Sequence, residues 1–164
     1  MQEILKNQTL AALATLNQCI KNCPDTEWNE SHGDAPFSQA VFHTLFHVDY
    51  LLSVDKEDFM SQKFHCGHKE LFRNYGEFEH EGYAEVYSKD EIAIYLDFCL
   101  NKIKERFCGT NKIDVLEKSE FWEMTVLELS IDNIRHIQHH AAQLGLRLQQ
   151  ISGERLKWAA SGWE

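Results

Sequence analysis

Hydrophobic residues recur at helical spacing in four long stretches of the chain. The stretches run from Gln2 to about Cys23, from Phe37 to about Val54, from Ser88 to about Cys108 and from Glu120 to about Ile151. In each of them apolar residues return every three or four positions, which places them on one face of an α-helix. The pattern therefore predicts an all-α protein with four long helices.

The residues that flank these stretches are types that begin or end helices. Pro24 stops the first helix, and Ser38 is the predicted N-cap of the second. Ser88 and Glu91 have the spacing of a capping box, in which the serine oxygen accepts an amide proton and the glutamate reaches back. Gly153 is the predicted C-terminal stop of the fourth helix. These signals support the division into four helices.

The segment between the second and third helices, residues 55–87, has no sustained period. It contains three glycines and many aromatic side chains, and a connection of this length is unusual in a compact domain. We interpret it as a long crossover that lies over the helices, with the "HCGH" sequence of His65–His68 in an exposed loop. The resulting prediction is a single domain over residues 1–164, folded as a four-helix bundle.

The charge of the chain limits the partners that we expect. Acidic residues number 26 and basic residues 16, which gives a formal net charge of −10 at pH 7. A surface of this sign repels phosphate groups, so we expect neither nucleic acid nor an anionic membrane as a partner. No apolar run reaches the roughly 20 residues that a membrane-spanning helix needs.

The cysteines and the N-terminal segment bear on the cellular compartment. The five cysteines are scattered and show no CxxC spacing. The N-terminal segment lacks the basic and then apolar pattern of a signal peptide. Both features predict reduced thiols and a cytoplasmic protein.

Histidines are concentrated in two of the predicted helices. The fourth helix contains "NIRHIQHHAAQLGLRL" with His136, His139 and His140, and the second contains "FHTLFHVDY" with His43 and His47. Because residues four apart lie roughly 40° apart around a helix, His136 and His140 share a face from which His139 points away. The helical wheel does not choose between His43 and His47. Two HxxxH pairs on separate helices of one predicted bundle favour a metal site, with solvated or hydrogen-bonded imidazoles as the alternative.

The two histidine segments resemble those of the DinB family of metal-binding four-helix-bundle proteins. That family has one histidine on the second helix and an HxxxH pair on the last, and the resemblance extends to the helix order and the long crossover. It implies that His43, His136 and His140 hold a divalent ion, with zinc or nickel expected and iron or manganese as alternatives. His47 departs from the family pattern. It is expected either to compete with His43 as a ligand or to support a ligand from outside the metal shell.

The resemblance also implies an activity. Three protein ligands leave a coordination position open, as in catalytic metal sites. We expect a metal-dependent thiol transferase or hydrolase that acts on a small molecule, with a low-molecular-weight thiol as a partner and a homodimer as the assembly. Aromatic side chains of the crossover are expected to roof the substrate pocket; these are Phe64, Phe72, Tyr75, Phe78 and Tyr83.

Two questions stay open at the level of sequence. Four side chains are candidates for an acid–base group, namely Asp49, Tyr50, Glu79 and Glu81. No sequence argument singles one out, and each also fits a solvated or structural role. The alternative function is a non-catalytic stress-response or binding bundle, in which the histidines are structural or vestigial.

Overall fold

The structure is a computed structural model of the chain. It describes residues 1–31, 35–72, 86–107, 116–119, 123–153 and 155–163. Within these ranges the regular structure is helical, and the only β-type pairing there is an isolated bridge between Lys118 and Thr125. The predicted all-α class is therefore confirmed.

Among the helices of the described residues, four are long and three are short. The long ones are α1 (Gln2–Asn22), α3 (Phe37–Leu52), α6 (Lys89–Phe107) and α7 (Val126–Ser152), and the short ones are α2 (Asp25–Trp28), α4 (Lys56–Ser61) and α5 (Lys63–Gly67). Helix α7 packs against α1 and α3, and α6 packs against the same two helices on their other sides. None of the described helices has the length and apolarity needed to cross a membrane.

The interior between the long helices consists of the residues that the hydrophobic pattern singled out. Residues of every long helix are fully buried there; they include Leu13, Leu16, Val41, Leu45, Ile92, Ile103 and Ile137. Removing a residue of this kind from water contributes about 1.5–3 kcal/mol to folding. The packing of these apolar faces fixes how α3 and α7 lie against each other.

The helix ends follow the sequence signals with one exception. Ser88 and Glu91 form the predicted capping box, with the backbone N–H of Ser88 donating to Glu91 Oε2 at 2.7 Å. Gly153 ends α7 in the left-handed conformation, at φ 76°. Ser38 was wrongly predicted as an N-cap: α3 begins after Pro36, and Ser38 is buried inside the helix. Its hydroxyl oxygen instead accepts a hydrogen bond from the backbone N–H of Tyr87 at 3.3 Å.

The last helix begins later than the predicted Glu120. Its N-terminus is a capping box of Thr125 and Glu128, in which Thr125 Oγ1 accepts from the backbone N–H of Glu128 at 3.2 Å. Because this box satisfies the first free amides of a helix, it fixes the start at Val126. The histidines lie two to four turns further along α7.

The crossover has more structure than its sequence pattern predicted. Helices α4 and α5 lie within it, and the carboxylate of Asp55 caps α4 by accepting from the N–H of Asp58 at 2.8 Å. His65 was expected in an exposed loop, but it lies in α5 and is 2% exposed. Residues 73–85 of the crossover lie outside the described ranges.

Candidate metal centre

Four histidines meet between α3 and α7. The ring centroids of His43 and His140 are 4.9 Å apart, and one turn further along α3 the rings of His47 and His136 are 4.5 Å apart. One turn forward along α3, from His43 to His47, therefore corresponds to one turn back along α7, from His140 to His136. The two helices run antiparallel. This arrangement brings the two HxxxH pairs of the sequence onto facing surfaces.

The ring nitrogens of these histidines point toward one another. His136 Nε2 lies 3.3 Å from His43 Nε2 and 3.2 Å from His140 Nε2. One ring nitrogen from each of His43, His47 and His136 also lies within 4.8 Å of the other two. Three histidines are thus close enough together to bind one metal ion.

These separations fit an ion held by imidazole. A zinc–nitrogen bond of about 2.1 Å places two nitrogens of a tetrahedral site about 3.4 Å apart, close to the two observed Nε2 distances. Hydrogen bonding alone explains the arrangement less well. A ring nitrogen carries either one proton or one lone pair, so His136 Nε2 completes a hydrogen bond with one of its two Nε2 neighbours. A shared cation satisfies all three lone pairs at once.

Gln143 fixes the tautomer of His140 that a metal requires. The Nδ1–H of His140 donates to Oε1 of Gln143 at 3.0 Å. A neutral imidazole with its proton on Nδ1 has a free lone pair on Nε2, the atom that faces His136. Metal-binding histidines are commonly oriented by such a bond from the second ring nitrogen.

His136 is held in the neutral form. Burial, followed by the neighbouring histidines, lowers its pKa from 6.5 to about 2, because a positive charge there would be poorly hydrated and repelled. Its Nδ1 atom is buried and has no hydrogen-bond partner in the described part of the chain. A neutral imidazole is the form that coordinates metals, so His136 is ready to bind at physiological pH.

The structure brings His43, His47 and His136 together as a group that can hold a metal ion, and it places His140 Nε2 beside His136. His43, His136 and His140 are linked by the two Nε2 contacts, while the group in which all ligand atoms approach within 4.8 Å contains His47 beside His43 and His136. Both sets share His43 and His136. His139 is exposed on the outer side of α7, as the helical wheel predicted.

Asp49, one of the acid–base candidates, forms hydrogen bonds with side chains of α5 and α6. Its side chain is fully buried, and its Oδ2 accepts from His65 Nε2 at 2.7 Å and from the Tyr95 hydroxyl at 3.0 Å. The ammonium of Lys102 bonds to its other oxygen. Burial by itself raises the pKa of Asp49, but the hydrogen bond from His65 and the charge of Lys102 outweigh it and hold the pKa below its usual value. This ionised carboxylate fastens α5 and α6 to α3.

Of the other candidates, Tyr50 shares a helix with two of the histidines. Tyr50 is seven residues after His43, which puts it on the same face of α3, and it is half-buried. Burial raises the pKa of its phenol, so the group is protonated at neutral pH and can donate a hydrogen bond. Glu79 and Glu81 lie outside the described residues.

The aromatic side chains expected to roof the site pack into the core where they are described. Phe64 stacks on Phe98 of α6 at 4.0 Å between ring centroids. Phe72 is 5% exposed and stacks on His65 at 3.7 Å. Phe72 also contacts Tyr95 of α6, at 5.1 Å between ring centroids, so both rings hold the crossover against α6. The remaining three, Tyr75, Phe78 and Tyr83, lie outside the described residues.

Comparison with known proteins assigns neither a family nor a function to the chain. No protein-family model matches the chain, and neither a curated protein nor a solved structure shows a significant match.

Sequence reasoning passed over Gln143 as part of the site. A residue three positions after a histidine lies next to it on a helix surface, and glutamine offers a neutral acceptor for a ring N–H. The three-residue spacing of His140 and Gln143 therefore indicated a contact between their side chains. What the sequence alone did not show is which ring nitrogen the glutamine contacts.

Proposed function

We propose that this chain is a DinB-like four-helix-bundle protein that binds one divalent metal ion between its second and fourth long helices. The observation that carries the proposal is the group of His43, His47 and His136, whose ligand atoms all lie within 4.8 Å of one another, with His140 Nε2 at 3.2 Å from His136 Nε2. Neutral imidazoles at this spacing suit zinc, nickel or iron.

The helix arrangement supports the bundle part of the proposal. The long helices follow one another as neighbours in the ring α1, α7, α3 and α6, and each packs against the two beside it. The short helices α4 and α5 belong to the long connection between the second and third long helices. A metal site built from facing helices inside such a ring is a common use of bundles.

We further propose that the centre serves an enzyme that transfers a small thiol or hydrolyses a small molecule. The ion would supply a Lewis acid that activates a thiol or water and polarises a carbonyl. The chain contributes His140 in the tautomer fixed by Gln143 and a neutral His136. It also contributes the protonated phenol of Tyr50 on the same face of α3, as a hydrogen-bond donor.

Metal analysis of protein purified without a histidine tag tests the binding proposal. After removal of metal with a chelator and repletion with zinc or nickel, we expect one equivalent to be retained through gel filtration. The double variant His43→Ala/His136→Ala should retain almost none, and His139→Ala, an exposed histidine of the same helix, should behave as wild type. Less than half an equivalent in the wild type contradicts the metal site.

An activity screen tests the enzymatic part separately. Each metal form is incubated with small electrophiles and several low-molecular-weight thiols, and consumption of thiol is followed. We expect one combination to react faster with the wild type than with the His43→Ala/His136→Ala protein. Equal rates for the two proteins, with metal bound in the wild type, favour a non-catalytic binding bundle instead.

A further inference from the structure

The four histidine rings form a closed rhombus. Its sides are His43–His47 at 4.6 Å, His47–His136 at 4.5 Å, His136–His140 at 4.6 Å and His140–His43 at 4.9 Å between ring centroids. The diagonal between His43 and His136 measures 5.2 Å. His47 and His140 thus lie on opposite sides of the pair that both three-histidine sets share.

We propose that His47 is a fourth ligand, so that one ion is held by two imidazoles from α3 and two from α7. The inference rests on the proposed metal-binding function and extends it to the composition of the site. A site of three histidines would use either His47 or His140 and leave the other ring, which also approaches His136, outside the metal shell. With four ligands, every ring of the rhombus has the same role as a metal ligand.

The positions of the four residues suit a shared ion. Each helix contributes residues four apart, which lie on one face about one turn from each other. One ring nitrogen of His47 approaches the ligand atoms of His43 and His136 within 4.8 Å, and trans nitrogens around an ion lie about 4.2 Å apart at metal–nitrogen bonds of about 2.1 Å. His140 Nε2 lies 3.2 Å from His136 Nε2, so each of the other three rings places a nitrogen within 4.8 Å of His136.

A fourth imidazole changes which ion leaves room for a substrate. Zinc with four protein ligands has the closed tetrahedral shell of a structural site. Nickel(II) and iron(II), which accept imidazole and also adopt six-coordinate geometry, would keep two positions open. We therefore infer that a small thiol reaches the metal in the nickel or iron form and is excluded from the zinc form.

X-ray absorption spectroscopy of the reconstituted protein tests the ligand number directly. The zinc form should show four imidazoles in the wild type and in His139→Ala, and three in His47→Ala and in His140→Ala. Zinc affinity should fall in His47→Ala by more than the 10–100-fold that loss of a supporting group costs. His47→Gln provides a second variant of similar size. Three imidazoles in the wild type, with His47→Ala unchanged in spectrum and affinity, overturn the fourth ligand while the metal site itself stands.

Addition of a small thiol such as 2-mercaptoethanol tests the consequence for access. We expect a metal–sulfur contact in the wild-type nickel form, none in the wild-type zinc form, and one in the zinc form of His47→Ala. A zinc–sulfur contact in the wild type, with all its imidazoles retained, overturns the closed zinc site. A wild-type protein that retains neither metal refutes the proposed function together with this inference.

Discussion

Gln143 Oε1 accepts a hydrogen bond from His140 Nδ1 across 3.0 Å, one turn further along α7. This bond holds the proton on Nδ1 and leaves the lone pair of Nε2 directed at the other histidines. We expect Gln143→Ala to lower the affinity for zinc about 10–100-fold, as removal of such an orienting partner commonly does. Competition with a chromophoric chelator measures the change.

Two variants separate this effect from a general change in the helix. Gln143→Glu keeps an oxygen acceptor at the same position and should retain zinc affinity close to that of the wild type. Gln149→Ala alters an exposed glutamine of the same helix and should have no effect. Equal affinity for Gln143→Ala and the wild type would mean that the bond does not position His140.

The capping box of α7 gives a stability that depends on pH. Hydrogen bonds from the backbone and hydroxyl of Thr125 lower the pKa of Glu128 from its usual 4.5. Because the unfolded chain takes up this proton more readily, the contribution is complete above pH 4.5 and is lost as the pH falls through the lowered pKa. Thermal unfolding should show Glu128→Ala below the wild type at pH 7, with the difference shrinking as the pH is lowered below 4.5.

Glu105 provides the control for this titration. It is an exposed glutamate of α6, and Glu105→Ala should differ from the wild type by an amount that changes little with pH. If the difference between Glu128→Ala and the wild type is the same at pH 7 and below pH 4.5, the carboxylate does not cap the helix in its ionised form.

Asp49, whose side chain is fully buried, forms an ion pair with Lys102, whose side chain is 16% exposed, and this pair anchors the crossover. Removing the carboxylate leaves the ammonium and the ring of His65 without the acceptor that they share. Loss of one partner of a buried pair costs about 3–5 kcal/mol, and we expect this decrease in the free energy of unfolding for Asp49→Ala. Urea denaturation measures it.

A double variant shows how much of the loss in unfolding free energy comes from the unpaired charge of Lys102. Asp49→Ala/Lys102→Met should be more stable than Asp49→Ala alone, since no unpaired ammonium remains. Asp97→Ala, at an exposed aspartate of α6, should stay within about 0.5 kcal/mol of the wild type. A decrease below about 1 kcal/mol for Asp49→Ala would contradict the anchoring role.

The described cysteines differ in their expected reactivity. Burial raises the pKa of Cys19 to about 12 and that of Cys23 to about 11, and it raises the pKa of Cys99 as well. Thiolates are the reactive form, so these three should resist alkylation in the folded protein, whereas the exposed Cys66 should react. Iodoacetamide labelling followed by peptide mass spectrometry checks this, with urea-unfolded protein as the control. Labelling of Cys19 as fast as Cys66 would contradict the buried state.

The long helices were predictable because each signal for them is local. Apolar residues at helical spacing, the Ser88–Glu91 box and Gly153 lie within a few positions of what they determine. Ser38 is also a residue type that caps helices. Its hydroxyl oxygen instead accepts a hydrogen bond from the backbone N–H of Tyr87, which lies far along the chain. The helix start was instead decided by Pro36.

The histidine site was predictable in part for the same reason. The spacing of His136 and His140 fixes their common face, and that of His43 and His47 does so on α3. Which residues face each other across the two helices depends on the packing of apolar side chains such as Leu45 and Ile137, which no local pattern contains. The burial of His65 depends likewise on its contact with Asp49, made between separate segments.

Arg147 joins the segment before α3 to α7. Its guanidinium donates to the backbone oxygen of Ala35 at 2.9 Å and to that of Glu30 at 2.6 Å. Lysine keeps the charge but lacks the planar fork that reaches two carbonyls. We expect Arg147→Lys to lower the free energy of unfolding by about 1–3 kcal/mol in urea denaturation. Arg135→Lys, whose side chain is 76% exposed, should stay close to the wild type. Equal stability of the two variants would show that these bonds do not hold the start of α3 against α7.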